Sequence, residues 1–146
     1  MVKRHTLILG LLAAPLLAAC SSTRAKTADQ GNTLETLRVI GVVTYRQRVP
    51  LPPDASVTVR LQDASDPEAA PIVIAEQTFE AKGRQVPLPF TLEFPSDRLS
   101  PERVYNVSAR IDSGGKLLWF SPDPPKVMTG GAPSAADIVL ARPDSP

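Results

Sequence analysis

The sequence predicts an all-β domain, a sandwich of about seven strands, and three observations predict it. Sixteen prolines are spread through 146 residues at spacings that interrupt almost any long helix. From Leu37 to Ala141 the apolar residues fall at every second position within short segments, the period of a strand with one buried face. Those segments recur at intervals of roughly 8–12 residues between proline and glycine punctuation, the spacing of a sandwich of short strands.

The first segment, Leu37 to Arg46, carries Val39, Val43 and Tyr45 on one face, and Gly41 within it marks a bulge or a close backbone approach. Val49-Pro50-Leu51-Pro52-Pro53 ends it. Ala55 to Asp63 alternates most cleanly, with Val57, Val59 and Leu61 inward against Thr58, Arg60 and Gln62. Ile72 to Phe79 follows a loop with Pro67 and Pro71, and Phe90 to Phe94 alternates after Pro87-Leu88-Pro89. Val104 to Asp112 turns Tyr105, Val107, Ala109 and Ile111 inward. Ser113-Gly114-Gly115 then makes a tight hairpin into Lys116 to Ser121, and Asp137 to Ala141 closes the domain. Leu99-Ser100-Pro101-Glu102-Arg103-Val104-Tyr105-Asn106-Val107 resembles the Leu-x-Pro-x-x-x-Tyr-x-Val segment of fibronectin type III-like domains. There a tyrosine hydroxyl bonds back to upstream backbone and pins a structural corner, so Leu99, Pro101 and Tyr105 point to an immunoglobulin-like sandwich.

The front of the chain has another character. Thirteen of the first 19 residues are apolar. Lys3, Arg4 and His5 precede the apolar run Leu7 to Leu17, which is too short to cross a hydrocarbon core of about 30 Å. Leu17-Ala18-Ala19-Cys20 resembles a bacterial lipobox, in which Leu17, Ala18 and Ala19 are read by the signal peptidase and Cys20 receives the lipid. Residues 1–19 are therefore expected to be a cleaved signal peptide, residues 20–36 the lipidated cysteine and a polar tether, 37–141 the sandwich and 142–146 a frayed tail. Ser21 and Ser22 follow Cys20, with no adjacent aspartate of the kind that retains lipoproteins at the inner membrane. The expected location is the outer membrane, lipid-anchored, with the domain facing the periplasm.

Composition excludes several functions. The 16 basic and 15 acidic residues give a net charge of +1, and loss of Lys3 and Arg4 with the signal leaves an acidic excess of one; no nucleic-acid partner is expected. His5 is the only histidine and Cys20 the only cysteine, so Ser-His-Asp and Cys-His catalysis and nearly all zinc sites fall away. No cofactor is expected beyond the lipid on Cys20. Ser113-Gly114-Gly115-Lys116 spells Ser-x-x-Lys but reads as a hairpin, and Gly130-Gly131 as a loop. Glu76, Glu80 and Glu93 are carboxylates whose spacing alone brings no two together, and the domain reads as non-enzymatic.

Leu117-Leu118-Trp119-Phe120 is apolar at four consecutive positions, and Val39 to Val43 raises the same question, because a sandwich strand buries one face in its own core. Either the segment Pro122 to Pro133 covers the second face or a partner does. Leu118, Phe120, Ile40 and Val42 are therefore the candidate partner-binding residues, and two such strands side by side would form an association patch. Arg60 and Arg110 are expected on different sheets, which argues against a basic patch.

Taken in order, Gly41, Val43-Thr44-Tyr45-Arg46, Leu51-Pro52-Pro53-Asp54-Ala55, Val57-Thr58-Val59-Arg60-Leu61, Ile74-Ala75-Glu76-Gln77, Gln85-Val86-Pro87 and Tyr105-Asn106-Val107-Ser108-Ala109-Arg110-Ile111 resemble the YbaY-like lipoproteins. That family shares its domain with the YscW-type lipoprotein chaperones of type III secretion, called pilotins, in which the lipid carries a bound secretin to the outer membrane. The resemblance covers residues 38–141 and implies a lipoprotein that binds or escorts another envelope protein, in its pilotin form a secretin. A module binding a small lipid or glycan is the alternative of a different class.

Overall fold

The computed structural model describes residues 34–143. Eight strands fold into two facing sheets: β1 (Thr36–Tyr45), β2 (Ser56–Asp63), β3 (Ile72–Glu80), β4 (Leu88–Pro95), β5 (Tyr105–Ser113), β6 (Lys116–Phe120), β7 (Lys126–Val127) and β8 (Ala135–Leu140). One sheet runs β4-β1-β8, and the other β3-β2-β5-β6 with β7 also paired to β5. A single 3-10 turn, Ser96–Arg98, follows β4.

Alternation places the core. Val57, Val59 and Leu61 of β2 and Val107 and Ile111 of β5 are fully buried, facing Val39, Val43, Leu92 and Ile138 of the other sheet. Each aliphatic side chain so enclosed contributes about 1.5–3 kcal/mol of transfer free energy. β2 and β5 are neighbours although two strands separate them in sequence, with Val57 opposite Ile111 and Leu61 opposite Val107. Gly114 and Gly115 form the two-residue β5–β6 connection, both at positive φ (56° and 76°), as a type I′ hairpin requires.

The expected sandwich is present, with one short strand more than the seven read from the sequence: Lys126 and Val127, within the expected Pro122–Pro133 loop, pair with Asn106 and Tyr105 as β7. Several details are corrected. Leu88 and Pro89, read as loop, already belong to β4 and pair with Val43 and Val42 of β1. β8 begins two residues early and lies parallel to β1, with Ile40 opposite Ala135 and Tyr45 opposite Leu140. Arg60 and Arg110 share one sheet, since Arg60 is opposite Ser108 and Arg110 opposite Thr58. Of the two readings of Gly41, close approach is the correct one: a Cβ there would lie 1.8 Å from the Ala136 carbonyl oxygen.

One edge of the sandwich is sewn shut. Phe120 N–H donates to Ala141 O at 3.0 Å and Ala141 N–H to Phe120 O at 2.8 Å, joining the end of β8 to β6 across the two sheets. At the opposite edge β3 and β4 face each other without a ladder between them among the described residues.

Candidate functional site

Two surfaces have the makings of a binding site: the outer face of β1, β8 and β6, and the cleft between the β3 and β4 edges. On the first, residues alternate outward from a buried row. Val39 and Val43 point into the core, while Ile40 is 48% exposed and Val42 half-buried. On β8, Ile138 and Leu140 are buried and Val139, opposite Thr44 of β1, is 41% exposed. Phe120 lies opposite Arg110 on the outer side of β6, next to the Ala141 bridge.

The sequence candidates are thus only partly brought together. β1 and β6 are not side by side; β8 stands between them, and its Val139 was the missing member. Alternation of Ala136, Ile138 and Leu140 against Asp137 and Val139 was the signal that could have found it. Leu118 does not belong with Phe120. Ile111 is opposite Trp119 but Asp112 is opposite Leu117, so Leu118 is the extra residue of a β-bulge and packs against the core. The bulge explains how four apolar residues in succession fit one strand. Cys20 and its neighbours Leu17, Ala18 and Ala19 lie outside the described residues.

Tyr105 is buried, and its hydroxyl oxygen accepts the Ser100 N–H at 2.8 Å. Leu99 packs against the core while Pro101 is exposed. This ties the segment after the 3-10 turn to the first residue of β5. Beside it lies Asp63, the one buried charged residue among those described. One carboxylate oxygen accepts the Ser65 N–H at 3.0 Å and the Ser65 hydroxyl at 2.6 Å; the other accepts Arg103 at 2.7 Å. The Ser65 hydroxyl in turn accepts Val104 N–H at 2.9 Å.

The hydrogen bond from the Ser65 hydroxyl, then the Ser65 backbone bond and Arg103, hold the Asp63 carboxyl below the usual carboxylate range against the opposing effect of burial. A folded-state pKa below the unfolded value of about 3.9 gives stability that is present above that value and lost as pH falls through the folded one. Urea midpoints at pH 7, 5, 4 and 3 should therefore fall more steeply below about pH 4 for the natural protein than for Asp63→Asn. The substitution should also lower stability at pH 7, because an amide pairs poorly with Arg103. Parallel curves for the two proteins below pH 4 would show that Asp63 is not the group responsible.

The outer face of the five-stranded sheet is charged but balanced: Arg60 pairs with Glu76, and Arg110 with Asp112. No basic patch results. At the open edge, Glu76, Gln77, Thr91, Leu92 and Glu93 line a cleft of about 420 Å³. The fold thus brings together two of the three carboxylates singled out in the sequence, 17 positions apart, and leaves Glu80 outside the lining. Among the described residues no group of three or more His, Cys, Asp or Glu is placed to hold a metal ion, and no helix is long and apolar enough to cross a membrane.

The described residues thus form a small immunoglobulin-like sandwich with an apolar outer face and an open strand edge. The sequence model of the type III secretion system lipoprotein chaperones (YscW) matches residues 35–140, and the chain belongs to this family. It is 33% identical over 143 residues to the lipoprotein YbaY of Escherichia coli (strain K12), described as uncharacterized, covering 90% of this chain and 75% of that protein. Among solved structures it is similar to an alternative pilotin from the type II secretion system of Vibrio cholerae. The TM-score is 0.70 and the identity 39%, over 73% of this chain and 96% of that one.

Proposed function

We propose that this chain is an outer-membrane lipoprotein, anchored through Cys20, whose non-catalytic domain faces the periplasm and binds and escorts another envelope protein, in its most specific form a secretin. The observation that carries the reading is the likeness to the Vibrio cholerae pilotin, which extends over 96% of that chain at 39% identity. The outer face of Ile40, Val42, Val139 and Phe120 supplies apolar surface for association. Lipid on Cys20 fits the role physically, because each buried methylene contributes about 0.8 kcal/mol and several acyl chains make attachment effectively permanent.

Two experiments test the two halves. Cys20→Ala should move the protein from the membrane fraction to the soluble periplasm; a variant that stays membrane-bound removes the anchor. In a deletion strain, secretins should be depleted from the outer membrane and accumulate at the inner membrane on density-gradient fractionation. Unchanged delivery of every secretin would sink the pilotin reading.

A further inference from the structure

We propose that the open edge at β3 takes up an extended, basic segment of a partner protein as an additional β-strand. The inference refines the escort reading by naming what the domain recognises. β3 is hydrogen-bonded to β2 on one side and to no strand on the other among the described residues, and the same holds for β4 beyond β1. A strand with one unpaired row of N–H and C=O groups is a template for another strand.

Natural edges are normally blunted by lysine, proline or a bulge. β3, Ile72-Val73-Ile74-Ala75-Glu76-Gln77-Thr78-Phe79-Glu80, contains neither lysine nor proline. Its one irregularity lies where the pairing shifts between Leu61 and Gln62 of β2, near the Ile72 end, so Ala75 to Glu80 is a regular edge whose only charges are Glu76 and Glu80.

Burial falls off from β2 to this edge. Phe79, Gln77 and Ala75 are opposite Val57, Val59 and Leu61 and share their inward side. The three β2 residues are fully buried, yet Ala75 and Phe79 are only half-buried and Gln77 is exposed. The core layer is therefore complete under β2 and incomplete under β3. The cleft of about 420 Å³ occupies that gap, walled by Glu76 and Gln77 on one side and by Thr91, Leu92 and Glu93 on the other. A peptide strand entering it would hydrogen-bond to β3 and cover Gln77 and the half-buried Ala75 and Phe79.

Charge selects the occupant. Glu76 is shared with Arg60; Glu93 lies opposite Arg38 of β1 but forms no ion pair within 4.0 Å among the described residues, and Glu80 ends the β3 edge. A second copy of this chain would set two β3 strands together, each with Glu76 and Glu80 and no basic residue, which like-charge repulsion disfavours. A segment with lysine or arginine at alternate positions meets these carboxylates instead.

Amide hydrogen exchange read by mass spectrometry on the lipidated protein in detergent micelles tests this, with three capped octapeptides as probes. One alternates Lys with Val and Thr, one carries Glu in place of Lys, and one is a Lys-Ala helix former of equal positive charge. The basic strand should slow exchange about tenfold or more in residues 74–80 and 89–93, and the other two should leave it unchanged. Equal slowing by all three peptides, no slowing by the basic strand, or slowing confined to β1, β8 and β6 would overturn the proposal. In a Glu76→Lys/Glu93→Lys double variant the preference should pass to the acidic peptide; persistence of the basic preference would refute the charge argument. No secretin takes part in the measurement, so strand uptake and secretin escort can fail independently.

Discussion

Gly41→Ala is expected to cost about 3 kcal/mol or more and to lower the melting temperature by roughly 12 °C or more in a domain of this size. Gly41 sits in the middle of β1, opposite Phe90 of β4 on one side and Ala136 of β8 on the other. A methyl group there would be 1.8 Å from the Ala136 carbonyl oxygen, 2.8 Å from its carbonyl carbon and 3.0 Å from the Phe90 ring. The ring can turn aside, but the carbonyl cannot, because it belongs to the backbone of the strand that pairs with β1. The clash is relieved only by lifting β8, and with it Ile138 and Leu140, out of the core. For the same reason Ala136→Gly or Phe90→Leu in the Gly41→Ala background should not restore stability, since neither removes the offending atom. Differential scanning calorimetry of the single and double variants measures this. A Gly41→Ala shift within about 2 °C of the parent, the size of a neutral surface change, would mean that β8 does not approach β1 as described.

The same residue shows how much the sequence discloses. A glycine inside an otherwise β-branched strand signals either a bulge or a close approach, and the choice depends on which strand lies alongside. That strand is β8, almost 100 residues later and parallel, and nothing in a strand's own sequence states the direction of its partner. β2 and β5 were legible in full because strict alternation is a local signal that the packing then obeys. β7 was not, since two residues between prolines carry no period. Glu76 and Glu93 are each ordinary exposed strand glutamates; only the meeting of two sheet edges makes them walls of one cleft. Arg60 and Arg110 share a sheet because the chain returns to pair β5 with β2 after two intervening strands, a topological step with no local marker in the sequence. Leu118 shows the opposite limit: the apolar run exceeds what one strand face can bury, and the solution is a bulge that turns the extra residue inward, leaving Leu117, opposite Asp112, and Phe120, opposite Arg110, on the outer side.

Trp119→Ala should be the other severe change, at about 3–5 kcal/mol. Trp119 is the only tryptophan in the chain and is buried on β6 opposite Ile111. Its ring stacks on Tyr45 at the end of β1, with centroids 4.0 Å apart and planes within 4°. The Arg142 guanidinium, immediately after β8, lies 5.1 Å from the centre of the indole. Three strands from two sheets therefore converge on one ring, beside the Phe120–Ala141 bridge that closes the sandwich. Tyr45 is itself fixed by donating its hydroxyl to Val49 O at 2.7 Å, and burial raises its pKa despite the opposing charge of Arg142. Truncation leaves a cavity at the seam and removes the stacking partner. Arg142→Ala removes only the cation–π contact and should cost about 0.5–1 kcal/mol. Trp119→Phe retains an aromatic surface for Tyr45 and should fall between the two. Urea unfolding by circular dichroism ranks the three variants, and a Trp119→Ala loss below about 1 kcal/mol, a typical single-site value, would refute the convergence. The outer apolar face depends on the same ring: Val139 and Phe120 belong to different sheets and are held together through this seam. Trp119→Ala should therefore weaken association through that face even at temperatures where the variant remains folded, and leave uptake of a basic strand at the distant β3 edge unaffected.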